Sequence, residues 1–279
     1  MKILNEYGLN TSNKVYVIAE IGINHGGDIE CAKKLIDSAA RTGVDAVKFQ
    51  TYITEKRVAS NSPIFEILKK CELPFEVFGD LKEHANKNNV EFFSTPFDEE
   101  SVNLLEQINV EIYKVASFDV VNHSLLNKIS STGKTVVMSV GMSNLDEIKA
   151  AYNILIENHR NIVLLHCISS YPTNEQDANL YAINKLIESF DCVIGQSDHT
   201  NDIQVPLYAV ANGAQVIEKH FRISDEMDCV DAPVSISEKQ MSMMVKEIRR
   251  LEGILGEGEL GVRDAESETV VYRRFSNLQ

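Results

Sequence analysis

Short runs of β-branched and other apolar residues recur along the chain, each followed by a stretch with apolar positions at helical spacing. The runs are VYVIAEI (15–21), DAVKFQ (45–50), EFFSTP (91–96), IYKVAS (112–117), TVVMSV (135–140), IVLLHC (162–167), VIGQSD (193–198) and VIEKHF (216–221). This alternation is the signal for parallel βα units. Eight such units in roughly 250 residues, with no Pro/Gly/Ser-rich linker between halves, predict one α/β domain, a closed (β/α)8 TIM barrel. A doubly wound open sheet is the runner-up, weakened because the turn after the first run, GINHGG, is not the GxGxxG that cradles a dinucleotide.

The intervening segments carry helix punctuation. Asp28 is placed to cap the first helix, RTG at 41–43 to end it, and Ser237 with Gln240 offers a capping box for the last. Leu35, Ile36 and Ala39 form an apolar stripe on the first helix. Two stretches break the rhythm. Residues 51–90 are more than one helix requires, and extra length after a barrel strand falls on the catalytic face, so a flap or short hairpin is expected there. The segment 257–279 is charged and glycine-bearing and reads as a linker-like tail, leaving 1–14 as a lead-in and 15–256 as the catalytic barrel.

Each apolar run turns polar at the same end, where barrel enzymes place their chemistry. The first is followed by Glu20, Asn24 and His25; the second ends in Lys48 and Gln50, the third in Ser94 and Thr95, the fourth in Lys114 and Ser117, the fifth in Ser139. The sixth carries His166, then Ser169, Ser170 and Tyr171; the seventh Ser197, Asp198 and His199; the eighth Glu218 and His220. Buried polar groups cost free energy unless paired, so eight polar ends together point to a shared polar site. Lysines with hydroxyls from Thr95, Ser117 and Ser139 suit a phosphate or carboxylate, although the lysines have a second option as partners of Glu20 and Glu218 in a structural ion network. His199 and His220 end adjacent strands and are placed to share a divalent metal, or else to stand as rim histidines without one. No HExxH occurs, which lowers the odds of a metallohydrolase.

Composition narrows the partners. A net charge of −14 argues against nucleic acid but not against a small anion held by a few focused lysines. No run of ~18 apolar residues and no signal-peptide core is present, so neither membrane nor export is expected and the cytoplasm is the expected setting. Five cysteines without CxxC spacing read as reduced thiols.

The motifs AEIGINHGG, DAVKFQTY, FFSTPFD, YKVAS, SVGMS, HCISSYPT, GQSDHT and EKHF, in this order, closely resemble the sialic acid synthase family over nearly residues 15–260. The resemblance implies condensation of phosphoenolpyruvate with an N-acetylated amino-hexose, N-acetylmannosamine or a related sugar, water entering and phosphate leaving, to give a nine-carbon 2-keto acid. By the same resemblance, Lys48, Thr95, Lys114, Ser117, Ser139 and Ser197 fall at phosphoenolpyruvate-binding positions, with Ser169 where some members carry asparagine and others serine. His199 and His220 match two metal ligands, usually for manganese, with magnesium or cobalt as substitutes. Glu20 matches the carboxylate near the metal-bound water, and Gln50, Tyr171 and Asp231 match positions facing the sugar. The resemblance further implies a homodimer, and a small antifreeze-like C-terminal domain that reaches the sugar; that domain lies outside these 279 residues, whether encoded separately as a partner, lost, or cut from a longer chain. Two other functions stay open: a lysine Schiff-base aldolase using Lys114 or Lys48, and a non-catalytic sugar- or anion-binding barrel.

Overall fold

The computed structural model describes residues 2–274. Eight strands, β1 (Tyr16–Gly22), β2 (Ala46–Thr51), β3 (Glu91–Pro96), β4 (Ile112–Val115), β5 (Thr135–Ser139), β6 (Ile162–Cys167), β7 (Val193–Asp198) and β8 (Val216–His220), pair in sequence order and close β8 onto β1. Every pairing is parallel. This is the (β/α)8 barrel that the apolar runs predict, and the open sheet is excluded by the β1–β8 ladder. β4 stops two residues short of its run, because Ala116 leads into a 3₁₀ turn at Ser117–Asp119.

The helices are α1 (Ile29–Arg41), α2 (Thr54–Arg57), α3 (Phe65–Cys71), α4 (Val77–Lys87), α5 (Glu99–Gln107), α6 (His123–Ser130), α7 (Leu145–Leu155), α8 (Tyr181–Ser189), α9 (Gln204–Ala211) and α10 (Glu238–Leu255). The Asp28 carboxylate accepts from Cys31 N at 3.0 Å, and Ser237 with Gln240 forms the capping box at the start of α10. Leu35, Ile36 and Ala39 are buried against the outside of the sheet, in one apolar layer with α4 and α10. The long β2–β3 connection is not a hairpin. It folds as α2 and α3, because Glu72 accepts from both the amide and the hydroxyl of Thr54 and Tyr52 donates its hydroxyl to Leu68 O at 2.9 Å.

A second apolar layer fills the barrel bore and is continuous with the lead-in. Leu4 and Leu9 pack with Tyr16, Ile18, Phe93 and Leu165, and Tyr7 O accepts the Thr135 hydroxyl at 3.0 Å. The chain turns at Gly8, with φ at +75°, where a Cβ would stand 2.2 Å from Thr135 Oγ1. The lead-in therefore closes the N-terminal end of the bore. Beyond α10 the described part of the tail is mostly exposed and carries short 3₁₀ turns at Asp264–Glu266 and Val270–Tyr272; its residues 275–279, like Met1 of the lead-in, lie outside the described residues. All five cysteines are free thiols, and no helix among the described residues is long and apolar enough to cross a membrane.

Candidate active site

Successive strand residues point to opposite faces of a sheet, so only every second residue at a strand end can face the bore. Glu20 lies level with Lys48 on one side and His220 on the other, Gln50 with Thr95, and Ser197 with Glu218. These inward residues line a cavity of about 340 Å³ at the C-terminal end of the barrel, joined there by Lys114, Ser117, Ser139, Tyr171, His199 and Asp231. Of the residues expected at the site, Ser169 does not line it. It stands behind the Gly141 turn, where a Cβ on Gly141 would come 2.6 Å from Ser169 Oγ and 3.0 Å from Ser117 Oγ.

The cavity floor is a chain of alternating charges. Lys48 Nζ is 2.6 Å from Glu20 Oε2 and 3.8 Å from Glu218 Oε2, and it donates to Thr95 Oγ1 at 3.1 Å. Lys114 Nζ donates to Ser139 Oγ and Val115 O, both at 2.8 Å, and stands 4.0 Å from Glu218 Oε1, which accepts from Ser197 Oγ at 2.9 Å. All four charged residues are at most 4% exposed. Burial alone would lower Lys48, but Glu20 and then Glu218 outweigh it and hold it above the ordinary lysine value. Lys114 is lowered by burial, which Glu218 only partly offsets. Glu20 is raised by burial against the pull of Lys48, whereas Glu218 is lowered, because Lys114 and Lys48 together overcome its own burial. Two carboxylates pushed in opposite directions are the arrangement in which one carries protons and the other stays ionised. Glu20 Oε2 has Lys48 as its ion-pair partner, while Glu218 Oε2 makes no hydrogen bond among the described residues, so the lysines expected to hold an anion are also members of an ion network on the same floor.

The two histidines meet at one wall, with ring centroids 5.3 Å apart and Tyr171 packed 4.1 Å from His199. His199 Nδ1 lies 2.7 Å from Ile168 O, which requires the proton on that nitrogen and leaves the Nε2 lone pair unprotonated. Burial, helped by the charge of His220, lowers its pKa to about 3, so it is a neutral imidazole. Burial would lower His220 too, but Asp231 outweighs it and the net shift is upward. The 3.4 Å approach of His220 Nδ1 to Asp231 Oδ2 is an electrostatic contact, since that nitrogen makes no aligned hydrogen bond. A neutral imidazole, a second imidazole beside a carboxylate and an open cavity fit a divalent cation completed by water or substrate. Among the described residues no group of three or more His, Cys, Asp or Glu forms a ready-made metal cage.

Several polar strand ends serve the fold instead. Ser94 pairs with Thr51 at 2.7 Å, His166 Nε2 donates to Ala178 O at 2.8 Å, Ser170 donates to Pro172 O, and Asp198 pairs with Lys219. Asn24 donates to Phe221 O and Ser235 Oγ and accepts from Asp231 N, each at 2.9 Å, so it fixes the loop that carries Asp231 without lining the cavity. His25 is buried behind it, stacked on Phe49. From the sequence, Glu218 is a polar strand end and a lysine partner but not a cavity ligand, and Arg57 and Phe97, which also line the cavity, carry no signal. Glu218 was findable, since two residues before His220 on a strand means the same face. Arg57 sits at the end of α2, its guanidinium 3.7 Å over the Phe97 ring and 2.8 Å from Gln50 Oε1, and no periodicity marks it.

A family model, the NeuB family, matches residues 35–260. The chain belongs to the NeuB family. It is 37% identical over 280 residues to the N,N'-diacetyllegionaminic acid synthase of Campylobacter jejuni, covering 94% of this chain and 84% of that protein. It is 32% identical over 255 residues to the N-acetylneuraminate-9-phosphate synthase of Mus musculus, covering 86% and 71%. Among solved structures, the N-acetylneuraminic acid (sialic acid) synthetase of Leptospira borgpetersenii, in complex with citrate, superposes with a TM-score of 0.91 at 41% identity, over 94% of this chain and 92% of that one. This NeuB-family barrel is therefore an enzyme of the sialic acid synthase kind, and its relatives are named for different acids.

Proposed function

We propose that this enzyme joins phosphoenolpyruvate to an N-acetylated amino-hexose, giving a sialic-type acid and phosphate. The observation that carries the reading is the pairing in one cavity of an anion floor, Lys114 and Lys48 with Ser139, Thr95 and Ser197, and a histidine wall 5.3 Å between ring centroids. The floor suits the phosphate and carboxylate, whose charge the lysines and hydroxyls hold as it shifts toward the leaving group. The wall, with Gln50, Tyr171 and Asp231, suits the sugar.

A divalent cation held by His199 and His220, manganese by family resemblance, would polarise the sugar aldehyde and orient water. The chain's own residues do the rest. The C3 carbon of phosphoenolpyruvate forms the new bond to the sugar aldehyde carbon, water adds at C2, and phosphate departs. Glu20, whose pKa burial raises above the ordinary carboxyl value, serves as general acid–base toward the water or the sugar hydroxyl. Asp231 and Gln50 accept and donate hydrogen bonds at the sugar end, with Arg57 bracing Gln50.

One observation favours the Schiff-base aldolase, the lowered pKa of buried Lys114, but its ammonium is already engaged with Val115 O and Ser139 Oγ. The deciding experiment is phosphate release from phosphoenolpyruvate, with manganese, against a panel of N-acetylated hexosamines. Release with at least one sugar is expected. No release with any sugar, or borohydride trapping of a keto acid on Lys114, would overturn the reading.

A further inference from the structure

Behind the histidine wall, on the outer face of the sheet, lies a second buried charge pair that the cavity does not use. Lys219 sits between Glu218 and His220, and Asp198 between Ser197 and His199; alternation turns both away from the bore. The two are register partners across β7 and β8. Lys219 Nζ is 2.6 Å from Asp198 Oδ2 and donates to Thr200 O, and the two residues are 0% and 3% exposed. The same carboxylate accepts from Thr200 Oγ1 at 2.7 Å, from Thr200 N at 3.3 Å and from Gln196 Nε2 at 3.2 Å. The backbone on both sides of His199 and the residue just before His220 are thus tied to a single anion.

A buried ion pair contributes little net stability, since desolvation cancels most of the attraction, and apolar replacements of similar volume are often neutral or stabilising. Stability alone is a thin reason for a fully enclosed lysine here. What the pair does fix is geometry. We propose that Lys219 and Asp198 are positioning residues that hold the His199 and His220 imidazoles at the spacing needed to share one divalent cation. The proposal rests on the metal reading of that wall. Groups that orient metal-ligating side chains typically change metal affinity 10- to 100-fold when removed.

The test compares the wild-type chain with Lys219→Met/Asp198→Leu, which removes both charges together, using manganese alone as the probe. Mn2+ binding is followed by electron paramagnetic resonance, with thermal unfolding and phosphoenolpyruvate affinity measured on the same samples. The expected result is a dissociation constant for Mn2+ raised about 10- to 100-fold in a protein that stays folded at the assay temperature, with an unfolding midpoint lowered because Thr200 and Gln196 lose their acceptor, and with metal-free phosphoenolpyruvate affinity near wild type. A folded double variant that binds Mn2+ as the wild type does would overturn the positioning role and leave the metal reading standing. Absence of Mn2+ binding in the wild type would remove both. If the double variant does not fold, Lys219→Met/Asp198→Asn, which keeps an acceptor for Thr200 and Gln196 but cuts the tie between β7 and β8, takes its place with the same expected and overturning results for Mn2+ binding.

Discussion

Replacing Lys114 by methionine tests the anion floor at a deeply buried charge. The change keeps an unbranched side chain of similar length and removes one ammonium that is 2% exposed. In the free protein two of its three protons go to Val115 O and Ser139 Oγ at 2.8 Å, leaving one donor for a ligand together with the hydroxyl that it orients. Lys48 is in no position to substitute, because Glu20 holds it at 2.6 Å. A charge-assisted hydrogen bond is worth about 1.5–3 kcal/mol, which is roughly 10- to 150-fold in affinity at about 1.4 kcal/mol per decade. Folding should suffer less, since Glu218 keeps Ser197 at 2.9 Å and Lys48 at 3.8 Å. Titration calorimetry with phosphoenolpyruvate, alongside thermal unfolding, reads both quantities. A dissociation constant within twofold of wild type in a folded Lys114→Met protein would refute the reasoning and return Lys114 to a purely structural role.

Three further expectations follow from the same geometry. Because burial raises the Glu20 pKa above the ordinary carboxyl value of 4.5, the acid limb of kcat/KM should lie above that value and disappear in Glu20→Gln, read from pH–rate profiles. The sign for stability is opposite: the folded state holds this proton more tightly, so the Glu20 contribution is most favourable below 4.5 and declines as pH rises through the folded value. Arg57→Leu should raise the KM for the sugar about tenfold or more with the phosphoenolpyruvate KM unchanged, since it frees Gln50 and leaves the floor intact; equal effects on both substrates would argue against it. Asn24→Ala should cost about 1–3 kcal/mol in denaturant unfolding and lower turnover through the displaced Asp231 loop, whereas turnover unchanged at that cost would make Asn24 a stability residue only.

The barrel was legible because strand period and helix period differ, and all eight runs fall within a residue or two of the observed strands. Polar strand ends were legible as a group but not by face. Ser94, His166 and Asp198 look like site residues in a string of letters, and only the pleat sends them outward, to partners such as Lys219 that are themselves unremarkable in sequence. Arg57 illustrates the converse. Its place depends on how α2 and α3 fold over the mouth, a tertiary outcome fixed by Glu72 and Tyr52, which no local pattern announces. Asn24 sits at the expected strand end yet acts at one remove, since its amide satisfies the backbone of the loop bearing Asp231.

The apolar layer that fills the bore, capped by Leu4 and Leu9 of the lead-in, makes the barrel a blind vessel with a single mouth. Molecules in such a vessel queue. Whatever rests against Lys114 and Ser139 has to arrive before an occupant nearer Arg57 and Tyr171, and it cannot leave until that occupant has gone. The closed end thereby imposes a last-in, first-out traffic rule on the reaction, set by apolar side chains that take no part in the chemistry.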